Sequence, residues 1–76
     1  MLQEGSLIRI VKSEELEDLA MGDFVGLVGT VMVDLTGEDR KMQGYVIQID
    51  KGVPEHAKDE YNTWFVPKKS VKELKP

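Results

Sequence analysis

Trp64-Phe65-Val66-Pro67-Lys68-Lys69-Ser70-Val71-Lys72-Glu73-Leu74 lays down two β-strands and the turn between them. Thr63 to Val66 is apolar enough for a half-buried strand, and Pro67 ends it because proline has no amide hydrogen to give a ladder. Lys68-Lys69-Ser70 is polar turn chemistry, after which Val71 to Leu74 returns to the alternation of a second, short strand. Successive side chains of a strand point to opposite faces, so only one of Trp64 and Phe65 can enter a core fully. Phe65 is the expected buried one. Trp64, with its polar N–H, is expected to be partly exposed, packed beneath the long loop before it or serving as an interface anchor.

The same two-residue period recurs upstream. Gly44-Tyr45-Val46-Ile47-Gln48-Ile49-Asp50 alternates, with Tyr45, Ile47 and Ile49 facing one way. Val25-Gly26-Leu27-Val28-Gly29-Thr30-Val31-Met32-Val33-Asp34 is the longest β-favouring run, and Thr36-Gly37-Glu38-Asp39 between the two predicts a turn and hence an antiparallel hairpin. Gly26 and Gly29 weaken a strand unless the sheet bends or another backbone comes close, and small barrels need such bends to close. Leu7-Ile8-Arg9-Ile10-Val11, following Gly5, supplies a first strand with Ile8 and Ile10 on one face. Residues 51–62 contain Gly52, Pro54, His56 and five charged residues without a period, as in a long exposed connection.

After the first strand, Ser13 is placed as a helix N-cap and Glu14 and Glu15 suit the positive end of a helix dipole. Leu16, Leu19 and Ala20 fall at i, i+3, i+4, and Gly22 is the expected stop. So short a helix is marginal in water and must be held by docking Leu16 and Leu19 on the sheet. The sum over residues 1–76 is one mainly β domain: five strands curled into a small barrel, with one short helix or helical excursion after the first strand.

Composition agrees with a folded module. The chain has 76 residues, 41% apolar and 32% charged, too apolar for disorder and too short for more than one core. There is no cysteine, so packing has to hold the fold without disulfides or thiolate-bound zinc. Met1-Leu2-Gln3-Glu4 offers no cationic leader region, and no apolar run reaches the roughly 20 residues of a membrane span, so a soluble, cytoplasmic protein is expected. Net charge is −4, and it is polarised: residues 1–39 hold two cations against nine acids, residues 40–76 eight cations against five acids. Such asymmetry serves intramolecular attraction or a binding face of one sign.

The strand order and three short motifs resemble the SH3-like small barrels: the Gly5-Ser6 opening to Leu7-Ile8-Arg9-Ile10, the bend at Val28-Gly29-Thr30-Val31, and Pro67 followed by Val71-Lys72-Glu73-Leu74. True SH3 domains end in a similar Val-Lys-Glu-Leu strand and carry acids in the first long loop, here Glu14, Glu15, Glu17 and Asp18, which implies proline-rich peptide binding. That needs aromatic walls for a polyproline helix. Ser70 stands where those domains use tyrosine, and Gly44-Tyr45 where a tryptophan opens the third strand, so the groove is dismantled. The layout is also similar to photosystem I subunit IV and related barrels, through Gly-Ser-x-x-Arg-Ile and Val-Gly-Thr-Val, which implies docking without chemistry. Gly29-Thr30-Val31 resembles the KOW-type barrels, which implies contact with RNA or protein.

No motif assembles a catalytic set. Ser6, Ser13 and Ser70 have no patterned base, and Gly26-x-x-Gly29 lacks the Gly-Lys-Ser/Thr ending of a phosphate loop. His56 with Glu55, Asp59 and Glu60 offers metal-ligand types on an exposed loop, but no second imidazole or thiolate completes a set. No enzyme activity, metal or cofactor is therefore expected. The expected function is a non-catalytic protein-interaction or accessory module, a monomer or weak homo-oligomer. Its surface is bordered by Trp64, Tyr45, Tyr61 and the acidic excursion Glu14, Glu15, Glu17 and Asp18. The alternative is a nucleic-acid-associated barrel using Lys68, Lys69 and Lys72, with Lys75 beside them, Arg40 and Lys41 elsewhere, and aromatics to stack on. A sequence pI of 4.9 disfavours it, since such modules typically lie above about 9.

Overall fold

The computed structural model describes residues 2–37, 39 and 41–74. Five strands, β1 (Leu7–Ile10), β2 (Val28–Asp34), β3 (Gly44–Gln48), β4 (Thr63–Pro67) and β5 (Val71–Glu73), form one antiparallel sheet in the order β4-β3-β2-β1-β5. One helix, α1 (Glu14–Asp18), follows β1, and 3₁₀ turns occupy Gly22–Phe24, Glu55–Ala57 and Lys68–Ser70. The mainly β class and the β2–β3 hairpin are as the two-residue periods require. β4 and β5, at the two ends of the order, are joined by the Lys68–Ser70 turn, and no ladder links them among the described residues. Glu38, part of the predicted hairpin turn, lies outside the described residues.

One face of the sheet carries the core. Ile8 and Ile10 of β1, Val31 of β2, Tyr45 and Ile47 of β3, Ile49 just after it and Val66 of β4 are all buried, together with Leu16 of α1 and Phe24. Met21, Leu27, Val53, Ala57, Trp64 and Val71 pack around them. Gly29 sits directly among these side chains. A methyl group there would lie 2.7 Å from the Gln48 carbonyl oxygen and 3.1 Å from Ile49 Cγ1, with Ile47 Cγ2 closer still. Only glycine lets β2 and β3 and their core side chains approach so closely.

Several elements differ from the sequence expectation. The run beginning at Val25 becomes a strand only at Val28. Gly26 adopts φ +94° in the preceding turn, although its N–H still bonds to the Ile10 carbonyl at 2.8 Å. The last strand closes at Glu73, and β4 extends through Pro67, which pairs with Gly44. Phe65 is not the residue that enters the core; it is half-buried, as is Trp64, the residue expected to be partly exposed. Val66 is wholly buried, and alternation therefore turns Trp64 toward the core and Phe65 away from it. Phe65 instead lies across Gly44, where an added methyl would be 2.8 Å from its ring.

The helix forms as the cap predicts, and ends otherwise. Ser13 Oγ accepts from the Leu16 N–H at 3.1 Å, satisfying one of the orphan donors of the first turn. Leu16 is buried, but Leu19 is 40% exposed, because the helix stops at Asp18 and Leu19 is already its C-cap. The reversal comes at Ala20 in the left-handed region, φ +59°, and not at Gly22. A Cβ in that conformation costs roughly 1 kcal/mol. Ala20→Gly is accordingly expected to stabilise the domain by up to about 1 kcal/mol, read as a higher denaturant midpoint.

Candidate interaction surface

The face of the sheet opposite the core is built by the registers. Leu7 pairs with Thr30, Thr30 with Gln48 and Gln48 with Thr63; Lys72 pairs with Arg9 and Arg9 with Val28; Val33 pairs with Val46 and Val46 with Phe65. Since Ile8, Ile10, Val31 and Ile47 point into the core, these three rows point out of it. The β2–β3 register shifts between Val31 and Val33, leaving Met32 as an extra residue. That bulge sets Met32 and Val33 side by side, each 42% exposed.

The result is an outer face that mixes polar side chains with exposed apolar ones. Among the described residues, Leu7 (54% exposed), Val28 (41%), Met32 and Val33 are four of the seven exposed large apolar residues, and the other three, Leu19, Val25 and Tyr61, lie outside the strands. A half-solvated antiparallel strand normally alternates apolar and polar. β2 instead reads Val28-Gly29-Thr30-Val31-Met32-Val33, nearly apolar on both sides. That apolar run, interrupted outward only by Thr30, was a legible signal of a second face wanting cover. At one end of this face an open groove of about 450 Å³ is lined by Leu7, Leu27, Val28, Thr30 and Gln48, with Asp50 and Lys51 at its margin.

The residues expected to border the interaction surface do not come together there. Tyr45 is only 6% exposed and belongs to the core. Burial, and secondarily the charge of Asp34, pushes its phenol above the ordinary value. Trp64 is half-buried, its ring edge-on to Phe24 at 5.7 Å, and its Nε1–H donates to the Ala57 carbonyl at 3.0 Å. Its polar handle is thus spent on packing beneath the 51–62 connection. Tyr61, at 72%, is the aromatic that is exposed. Glu14, Glu17 and Asp18 are exposed and Glu15 half-buried, an acidic surface on the excursion after β1.

Other polar candidates have structural partners. Ser13 and Ser70, which lack a partner in the sequence pattern, share a hydrogen bond between their hydroxyls, and Ser70 is fully buried. Ser70 therefore ties the last turn to the cap of α1. His56 Nε2 lies 2.6 Å from Asp23 Oδ2, linking the two long connections, while Glu55 pairs with Lys58 at 2.8 Å and Asp59 accepts from the Tyr61 N–H. Asp34 accepts from Thr36 Oγ1 at 2.6 Å and Thr36 N at 2.8 Å. These bonds, with a smaller contribution from Lys68, hold its carboxyl below the usual range.

The lysines of the nucleic-acid alternative are divided. Lys68 lies by Asp34 at the end of β2, Lys69 is exposed in the same turn, and Lys72 is on β5 opposite Arg9. Lys41 is exposed, and Arg40 and Lys75 lie outside the described residues. Among the described residues, no helix is long and apolar enough to cross a membrane. Comparison with family models, with curated proteins and with solved structures finds no match.

Proposed function

We propose that this chain is a five-stranded SH3-like barrel serving as a non-catalytic protein-interaction module of the cytoplasm, which docks its partner on the outer face of the sheet. The exposed aliphatic set Leu7, Val28, Met32 and Val33 carries the reading. Exposed apolar side chains gathered on one face are what protein interfaces use, and their burial is worth about 25 cal/mol per Å² before the cost of association. The barrel reading draws on the order of strands, on the 3₁₀ turn directly after Pro67, and on α1, which lies against β4 and that turn at the sheet's open side. The dismantled polyproline groove fits this placement. Ser70 is committed to Ser13, and Trp64 to Phe24 and Ala57, so neither is available as a groove wall.

A photo-crosslinking residue placed at Val28 or Met32, expressed in the native cells, is expected to trap one recurrent polypeptide, whereas the same residue at Glu17 traps none or different ones. The double variant Val28→Ser/Met32→Ser, with an unchanged circular dichroism spectrum, is expected to lose that partner in co-purification. Equal recovery by the variant and the parent chain would refute docking on this face.

A further inference from the structure

We propose that the outer face takes a protein segment that carries two carboxylates next to apolar side chains. This rests on the interaction-module reading and adds the chemistry of the partner. Arg9 and Lys72 are Cα partners in the β1–β5 ladder, both exposed and on the outer face. Like charges directly opposite one another in adjacent strands repel and weaken the sheet. Among the described residues neither has an ion-pair partner. They are also the only charged side chains that the five strands place on that face, in a chain of 14 acids and 10 Lys or Arg. Folding alone gives no reason to set two of so few cations opposite one another. Two carboxylates arriving from a partner turn the repulsion into attraction.

The neighbours of this pair fix the rest of the ligand. Val28 is the Cα partner of Arg9, and with Leu7 it forms the apolar wall of the groove, whose Thr30 and Gln48 offer hydrogen bonds to a peptide backbone. An aliphatic or aromatic side chain beside the carboxylates fills that groove. The same charges argue against other occupants. Two copies meeting face to face would bring two cationic pairs together, and both a nucleic acid and an anionic bilayer would meet a molecule of net charge −4 through only two cations.

Selection from a displayed random-peptide library on the immobilised protein, followed by titration of the strongest synthetic peptide, tests this. The expected peptides combine Asp or Glu with Leu, Ile, Val or Phe. Arg9→Gln/Lys72→Gln is expected to weaken the chosen peptide about tenfold or more, with a smaller difference at high salt. Lys72→Glu should abolish capture and at the same time raise the thermal midpoint, because it replaces the repelling pair by an attracting one. Lys12→Gln, outside this face, should change neither. If Val28→Ser/Met32→Ser weakens binding while Arg9→Gln/Lys72→Gln does not, the acidic partner is wrong and the interaction reading stands. If neither pair of substitutions matters, or no peptide is selected, both fall. Binding of poly(U) or of anionic vesicles that depends on Arg9 and Lys72, or a dimer that does, also overturns the proposal.

Discussion

Gly29→Ala is expected to cost the domain roughly 3 kcal/mol, the upper part of the usual range for overpacking a core. A methyl group at this position has no room to settle. It meets backbone at the Gln48 carbonyl, 2.7 Å away, and side chains of Ile47 and Ile49 that are themselves wholly buried. The flexible end of a surface side chain could swing away, whereas a β3 carbonyl cannot move without opening the ladder. A domain of this size is stable by only about 4–11 kcal/mol, so the loss is a large share of the whole. Denaturant titration should show a lower midpoint with an unchanged slope. Gly37→Ala is the matching control: nothing lies within 4 Å of the added methyl, and its effect should stay within about 0.5 kcal/mol. A Gly29→Ala protein as stable as the parent would mean that β2 and β3 are not packed this closely.

Trp64→Ala is expected to lose about 3–5 kcal/mol, as large-to-small changes of buried aromatics do. The half-burial of Trp64 favours the lower end. Its ring supports Phe24 edge-on, and its Nε1–H holds the Ala57 carbonyl. Those contacts bind the Gly22–Phe24 and Glu55–Ala57 turns to the sheet. The loss should therefore be local as well as global, and amide exchange should accelerate in both turns ahead of β1 and β3. Trp64→Phe separates the two contributions, because it retains an aromatic ring and loses the hydrogen bond at a cost of about 1 kcal/mol. If exchange in the two turns stays at the parent rate in Trp64→Ala, the residue is not what anchors them.

The elements that sequence made legible are those whose signal is local. Ser13 before two glutamates is sufficient to start α1, and the alternation of Tyr45, Ile47 and Ile49 is sufficient to orient β3. Choices that depend on distant parts of the chain were not legible. Leu16, Leu19 and Ala20 have helical spacing, yet the chain leaves the helix at Leu19 and turns through Ala20 to bring Phe24 into the core. Trp64 and Phe65 are equivalent as a pattern, and only the burial of Val66 decides between them. Tyr45 was expected to border the interaction surface, yet it shares the face of Ile47 and Ile49 and the surrounding sheet covers it. The cationic pair was invisible for the same reason: Arg9 and Lys72 lie 63 positions apart and become neighbours only through the β1–β5 register.

That register also bears on how the molecule is born. On a ribosome, Leu7–Ile10 emerges before both its neighbours and finds β2 on one flank, but its other flank stays bare until Val71–Glu73 has been made. Ile8 and Ile10 must wait through the synthesis of the 60 residues between Ile10 and Val71 for the neighbour that finishes covering them. Nascent molecules halted before that point offer an unpaired ribbon to the cell, so chaperone capture and degradation of arrested chains should fall sharply once Val71–Glu73 is outside the ribosome.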